Sequence, residues 1–170
     1  MAFSVDIEDL FYSIPHDELF VAVRELIDHC STVNFQNACG MSVDTFLELS
    51  FYLSSTVVEF KGSLFLQKSG ICIGSSVVPV LSQIFLAKFD RTLQELLQEK
   101  RVCKVFRYVD DFLVHLELLP NDTLPAAVDD VLSAFKASSR ALNFTHELLN
   151  NHSIRFLEII IGFWWNGNGA

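Results

Sequence analysis

The sequence predicts an α+β fold, with one antiparallel sheet and helices packed on one of its faces. Short apolar runs of strand length occur in pairs, and longer stretches with helical spacing of apolar residues lie between them. This mixed order of strands and helices is typical of a sheet covered by helices. The chain has 170 residues, of which 51% are hydrophobic and 16 are Phe, so it can bury the core of one packed domain.

The first half of the chain predicts two helices between a strand and a hairpin. Pro15 marks the start of a helix, because apolar residues recur at helical spacing after it. Lys61-Gly62-Ser63 separates two apolar runs and has the composition of a hairpin turn. In order, the predicted elements are a strand around Asp6, a helix over 16–30, a polar loop containing Gly40, a helix over 43–53, and a hairpin with strands 57–60 and 64–67.

The second half predicts a long helix, a strand pair, a further helix and a last strand pair. Apolar residues along 76–98 recur at the spacing of an amphipathic helix. Asn150-Asn151 has the composition of a turn between two strands. In order, the predicted elements are a loop framed by Gly70 and Gly74, a helix over 76–98, strands 102–106 and 112–116, a helix from Pro120 to 142, and strands 144–148 and 155–162.

An acidic pair lies between the strands 102–106 and 112–116, within Arg107-Tyr108-Val109-Asp110-Asp111. Unpaired carboxylates are costly to bury, so we expect this pair at the tip of a hairpin, facing a cleft. Asp6 is a further carboxylate in an apolar strand, about a hundred positions earlier in the sequence. Strands that bring such carboxylates together form a hard-oxygen site for Mg²⁺, as two-metal phosphoryl transfer requires.

Charge and cysteine spacing limit the classes of function. The net charge of −9 counts against a free-standing nucleic-acid-binding protein, unless basic segments that grip phosphate lie elsewhere in a longer protein. The four cysteines lack CxxC spacing, which favours thiols in a reducing compartment over a zinc site. The sequence has neither a secretory signal nor a run of about 20 apolar residues, so we expect an intracellular protein, nuclear or cytoplasmic, without a membrane partner.

Several motifs occur in a fixed order. They are Phe3-Ser4-Val5-Asp6-Ile7-Glu8-Asp9-Leu10-Phe11, Gly70-Ile71-Cys72-Ile73-Gly74-Ser75-Ser76-Val77-Val78-Pro79, Tyr108-Val109-Asp110-Asp111, and Asn143-Phe144-Thr145-His146-Glu147 with Ile154-Arg155-Phe156-Leu157-Glu158-Ile159. They resemble the first catalytic motif, the glycine-bearing loop and helix, the YxDD box and the segment after it in the palm of reverse transcriptases, most closely those of Penelope-like retroelements. A YxDD box alone recurs by chance, whereas four motifs in the correct order and spacing are specific.

The resemblance implies a polymerase palm with an RRM-like core and assigns roles to individual residues. It implies that Asp6, Asp110 and Asp111 are catalytic and bind two Mg²⁺ ions, with Mn²⁺ as a substitute, and that the Ile7 carbonyl is a further metal ligand. Phe11 lies where the family places a bulky gate under the sugar, which favours deoxynucleotides. Ile73 and Gly74 would contact the substrate, although many relatives carry Gln at the position of Ile73.

The implied function is that of an RNA-directed DNA polymerase from a retroelement. It would extend a DNA primer on an RNA template with dNTPs by two-metal nucleotidyl transfer. The basic fingers segment expected before Asp6 and a thumb after the last strand are absent, so we expect 1–170 to be a partial palm, cut at both ends. The oligomeric state stays open. We expect negligible polymerase activity from this fragment in isolation.

Two alternative functions remain open at this point. The first is a non-catalytic remnant or folded domain of a retroelement polyprotein, which the acidic charge and Ile73 favour. The second is a different palm enzyme that uses NTPs, such as an RNA-templated RNA polymerase or a nucleotide cyclase. The YxDD box and Phe11 favour DNA synthesis over the second alternative.

Overall fold

The computed structural model describes residues 1–54, 57–67, 69–71, 73–74, 77–118 and 123–162, apart from the side chains of 50–54 and 58. Some predicted features lie outside the described residues. They are the two predicted helix N-termini at Ser76 and Pro120, and the thiol of Cys72. The chain forms two compact units, one of Met1–Glu8 together with the residues from Thr92 onward, the other of Asp9–Arg91. We describe each unit by itself.

Six helices and eight strands are present in the described residues. In chain order they are β1 (Ala2–Glu8), α1 (Leu10–Ser13), α2 (His16–Cys30), α3 (Thr32–Cys39), α4 (Val43–Ser54), β2 (Val57–Phe60), β3 (Ser63–Leu66), α5 (Val78–Leu97), β4 (Val102–Tyr108), β5 (Asp111–Leu116), α6 (Leu124–Ser138), β6 (Asn143–Leu148), β7 (Ser153–Phe156) and β8 (Ile159–Gly162).

The first unit is built on a four-stranded antiparallel sheet in the order β4-β5-β1-β6. Side chains alternate across β1, so that Phe3, Val5 and Ile7 are buried on one face while Ser4 and Asp6 are half-buried on the other. The strand that carries the first acidic residue therefore lies in the interior of the sheet, where hydrogen bonds on both edges hold it in place.

Helix α6 packs on the apolar face of this sheet. Phe135 is fully buried, and its ring meets the Phe112 ring of β5 edge-on at 5.1 Å and the Phe144 ring of β6 at 5.6 Å. Aromatic pairs in this geometry add to the free energy gained by burying their area. The predicted arrangement of an antiparallel sheet with a helix on one face is confirmed in this unit.

The second unit is mainly helical, and its packing explains one wrong prediction. Residues after Cys30 were expected to be a polar loop, but they form α3. The Ser31 side chain accepts a hydrogen bond from the Asn34 amide at the start of α3, and Gly40 ends this helix with φ of 70°. The Phe35 ring packs edge-on against Phe46 of α4 at 5.0 Å, a tertiary contact that composition alone does not reveal.

A second prediction was wrong near the end of the chain. The segment 155–162 was expected to be one strand, but it contributes to a hairpin of β7 and β8, in which Phe156 pairs with Ile159. Leu157 adopts φ of 55°, which turns the chain within a continuous apolar run. A turn at a non-glycine residue with positive φ is uncommon, so the sequence offered no sign of it.

Helix α1 was not predicted, and the other elements lie within a few residues of their predicted bounds. Among the described residues, no helix has both the length and the apolar character needed to cross a lipid bilayer.

The central packing of α6 on the sheet can be tested by truncating its fully buried ring. We expect Phe135→Ala to lower the free energy of unfolding by about 3–5 kcal/mol, because it leaves a cavity between two other rings. Phe106→Ala on β4 is the matched control, since Phe106 is 51% exposed, and we expect it to cost less than about 1 kcal/mol. Urea denaturation measures both changes, and equal losses in the two variants would contradict the assigned packing.

Candidate active site

A tight hairpin carries the acidic pair. Tyr108 pairs with Asp111 across β4 and β5, so only Val109 and Asp110 form the loop between them. The loop is held from two sides, since the Ile7 amide donates to the Asp110 carbonyl at 3.1 Å and Arg107 Nη1 donates to the Val109 carbonyl at 3.1 Å. These bonds position Asp110 beside the end of β1.

The register of the sheet brings the third carboxylate to the same place. Asp6 on β1 pairs directly with Asp111 on β5, so both side chains project from one face of the sheet. One carboxylate oxygen from each of Asp6, Asp110 and Asp111 lies within 4.8 Å of the other two. The three predicted catalytic aspartates therefore meet, although the first is about a hundred residues from the others in sequence.

The cluster is electrostatically unfavourable in the absence of a cation. Partial burial raises the pKa of Asp6 above its ordinary value of 3.8, and the negative charges of Asp110, Asp111 and Glu8 raise it further. Burial and the charge of Asp110 raise the pKa of Asp111 in the same way. Like charges directly opposite each other in a sheet are destabilising, so the fold retains this pairing at a cost.

These properties fit a divalent cation. Three half-buried carboxylates within reach of one point form a hard-oxygen donor set, as Mg²⁺ and related ions prefer, and the raised pKa values show that the site favours added positive charge. The Ile7 amide is bonded to Asp110, but the predicted role of the Ile7 carbonyl as a metal ligand stays a prediction.

A groove of about 850 Å³ opens beside the aspartates. Asp6, Asp111 and Tyr108 line one part of it. Thr145 and Glu147 of β6 and residues of the β7–β8 hairpin, among them Arg155 and Phe156, line the rest. The groove thus places both polar and apolar side chains next to the carboxylates, and Arg155 is a cation in an otherwise acidic region.

The predicted substrate-binding residues other than Ile7 belong to the second unit. Phe11 lies in α1 and is half-buried, and its carbonyl accepts a hydrogen bond from the Ile71 amide at 2.6 Å. Ile73 is 54% exposed, and Gly74 is exposed with φ of 107°, a conformation that favours glycine. The structure brings Phe11 to the Gly70–Ile71 segment.

Sequence reasoning missed a contact between His16 and Gly70 next to the backbone of Phe11. His16 Nε2 lies 2.5 Å from the Gly70 carbonyl, and Gly70 packs directly against the backbone of Phe11 and Tyr12. His16 was interpreted only as the first residue of a predicted helix, and Gly70 only as part of the glycine-bearing loop. No spacing rule links them, because they lie 54 positions apart.

Comparison with protein families identifies the chain. The model of the family described as reverse transcriptase (RNA-dependent DNA polymerase) matches residues 1–161. The chain belongs to the reverse transcriptase family. A comparison with curated protein sequences gives no match. The predicted likeness to the Penelope-like branch stays a prediction.

Solved structures with a similar fold include telomerases from two Candida species. The apo telomerase of Candida tropicalis superposes with a TM-score of 0.64 at 15% identity over 95% of this chain and 30% of that one. Its form truncated from the C-terminal domain gives 0.62 at 14% identity over 95% and 33%. Telomerase from Candida albicans in complex with a fragment of telomeric RNA gives 0.65 at 16% over 95% and 29%. The chain therefore spans about a third of the length of these telomerases, and the likeness establishes the fold.

The hairpin tip stores backbone strain that one substitution should release. Val109 is β-branched, yet it adopts φ of 55°, a region that L-residues and above all β-branched ones avoid. We expect Val109→Gly to raise the free energy of unfolding by about 1 kcal/mol, after allowing for the greater entropy of the unfolded glycine chain. Val105→Gly, in the extended part of β4, is the control and should lower stability. A loss in both variants would contradict strain at the tip.

Removing one carboxylate should change how stability depends on pH and on metal. The folded state holds protons on Asp6 and Asp111 more tightly than the unfolded chain does, so without metal its stability falls as pH rises from 3.8 through the raised pKa values. We expect Asp6→Asn to flatten this fall and to stabilise the metal-free protein at pH 7 by about 1 kcal/mol, since water screens part of the repulsion.

The same variant should lose the stabilising effect of Mg²⁺. For the wild type, Mg²⁺ at ten times its Kd should add about 1.4 kcal/mol to the free energy of unfolding. Asp129→Asn on the exposed face of α6 is the control and should keep the full effect. Thermal denaturation with and without Mg²⁺ at several pH values measures both effects. A wild type that Mg²⁺ does not stabilise would argue against the metal centre.

Proposed function

We propose that this chain is the catalytic core of an RNA-directed DNA polymerase of a retroelement. The observation that carries the proposal is the meeting of Asp6, Asp110 and Asp111 within 4.8 Å, in a chain of the reverse transcriptase family. A family assignment alone would fit an inactive relative as well. The intact acidic cluster beside an open groove favours an active enzyme.

In this proposal the aspartates hold the metal ions that nucleotidyl transfer requires. Asp6 and Asp110 bind two Mg²⁺ ions, for which Mn²⁺ can substitute, and Asp111 and the Ile7 carbonyl complete the protein's ligands. Ions held there would supply activation of the primer 3′-hydroxyl and neutralisation of charge on the triphosphate. The strained hairpin and the β1 register hold the carboxylates in place before substrate binds, which avoids reorganisation during the reaction.

Three residues of the second unit select the nucleotide in this proposal. The Phe11 ring excludes a ribose 2′-hydroxyl and so favours dNTPs over NTPs. Gly74, with its positive φ and with no described atom within 4 Å of an added Cβ, leaves room for the substrate. The exposed Ile73 supplies an apolar surface where many relatives have a polar side chain.

The proposal includes the partners and the extent of the domain. The enzyme extends a DNA primer on an RNA template, and residues 1–170 form part of its palm. In this proposal the enzyme acts inside the cell, in the nucleus or the cytoplasm, where an RNA template and dNTPs are present. The net charge of −9 makes this region a poor nucleic-acid binder by itself, so the phosphate grip comes from other parts of a longer polymerase.

Substitution of the central aspartate in the full-length protein tests the proposal. We expect Asp110→Asn to reduce primer extension on an RNA template by on the order of 10³-fold or more, because it removes one metal-binding carboxylate and keeps the side-chain volume. Asp129→Asn, an exposed position on α6, is the matched control and should leave the rate unchanged.

Incorporation of labelled dNTP opposite a defined template measures the effect. Primer extension that survives Asp110→Asn would overturn the assignment. A wild type that prefers NTPs to dNTPs would favour a different palm polymerase, and a wild type inactive with both would favour a non-catalytic domain.

A further inference from the structure

Two segments far apart in sequence are clasped together in the second unit. The Gly70 amide donates to the Ile14 carbonyl at 3.0 Å, and the Ile71 amide donates to the Phe11 carbonyl at 2.6 Å. His16 Nε2 lies 2.5 Å from the Gly70 carbonyl, which can only accept, so the imidazole is the donor. We call Phe11, Ile14, His16, Gly70 and Ile71 the clasp.

Helix α1 depends on the clasp. It is a single turn, and such a turn leaves most of its carbonyls without partners inside the helix. The amides of Gly70 and Ile71 satisfy two of the carbonyls at its end. Since a turn of four residues is marginal on its own, the position of Phe11 is set by the segment bonded to it.

Gly70 makes the close approach possible. Its φ is 77°, and a Cβ at this position would lie 2.5 Å from the Phe11 carbonyl oxygen and 2.5 Å from the Tyr12 Cα. Both obstacles are backbone atoms, so a side chain could be accommodated only by moving α1. The clasp therefore determines the distance between the two segments as well as their pairing.

His16 is the one side chain among the hydrogen bonds of the clasp. It is the first residue of α2, and its half-buried imidazole reaches back to the Gly70 carbonyl. The Ile14, Phe11 and Gly70 bonds use main-chain groups, which nearly any residue could supply. A substitution of His16 can therefore change how firmly Gly70 and Ile71 are held.

We propose that His16 is a positioning residue for sugar selection, acting through Gly70 and Ile71 on Phe11. This rests on the proposed role of Phe11 as the sugar gate. A steric gate distinguishes a hydroxyl from a hydrogen atom, so a shift of Phe11 by a fraction of an ångström changes the selectivity. His16 opposes that shift by holding the segment to which the Phe11 carbonyl is bonded.

The first arm of the test measures the clasp without any reaction. In the full-length protein, His16→Phe keeps a ring of similar size and removes the donor. We expect hydrogen exchange of the Ile71 amide to rise by about fivefold, the effect of one neutral hydrogen bond. His16→Gln can still donate to Gly70 and should stay near the wild type. His29→Gln, at the exposed end of the same helix, should change nothing.

A second variant that lacks the hydrogen bond to Gly70 is included in case His16→Phe does not fold. His16→Asn is polar, so it should fold where the Phe variant does not, yet its amide is too short to reach Gly70. Unchanged exchange at Ile71 in whichever of the two folds would overturn the proposal.

The second arm measures sugar selection by the ratio of kcat/KM for dNTP to that for the matching rNTP. We expect this ratio to fall about tenfold in His16→Phe and to recover in His16→Gln. In a Phe11→Ala background the gate is absent, so His16→Phe should cause no further fall. An effect that persists in that background, or a loss of rate with an unchanged ratio, would overturn positioning through Phe11.

The two arms separate this proposal from the function on which it rests. A wild type that incorporates no nucleotide would contradict the polymerase assignment and, with it, the sugar-selection role of His16. The exchange arm would still decide whether His16 holds the clasp.

Discussion

Repulsion among three carboxylates is the constraint on which the first unit is built. Asp6 lies directly opposite Asp111, and Asp110 adds a further negative charge within 4.8 Å, so ionisation of the cluster opposes folding. The sheet supplies the opposing free energy from its other face, where Phe135 of α6 packs between Phe112 and Phe144. Each strand thus has one face that provides stability and one face that provides chemistry, as the alternation of side chains along a strand allows.

The stability supplied by the apolar face of the sheet also allows the strain at Val109 to be tolerated. A positive φ at a β-branched residue is unfavourable, but the β4–β5 pairing and the bond between Ile7 and Asp110 hold the loop in this conformation. The loop is only two residues long, and the hydrogen bond from the Ile7 amide holds the backbone of Asp110 beside β1. Rigid placement matters more at this position than local stability, since the carboxylates must stay together against their own charge.

Features of the fold and of the site that follow from local sequence patterns could be predicted, whereas those that depend on long-range contacts could not. Asp6, Asp110 and Asp111 could be predicted because acidic residues within or between apolar strands are conspicuous, and antiparallel pairing of those strands brings them together. Helix α3 was not predicted, because its composition is polar and the packing of Phe35 against Phe46 is a tertiary contact that the local sequence does not reveal. The turn at Leu157 was hidden for a different reason, since a leucine there gives no sign of a positive φ.

The clasp could not be predicted from the sequence, because most of its hydrogen bonds join main-chain groups. A carbonyl of Phe11 and an amide of Ile71 are present whatever the side chains are, so their pairing leaves no mark on residue type. Gly70 is visible in the sequence, but a glycine in a loop has several explanations. They are distinguished only by the structure, in which a Cβ added to Gly70 would lie 2.5 Å from the Phe11 carbonyl oxygen. A function that depends on the ring of Phe11 can therefore also depend on His16, without any contact between His16 and the nucleotide.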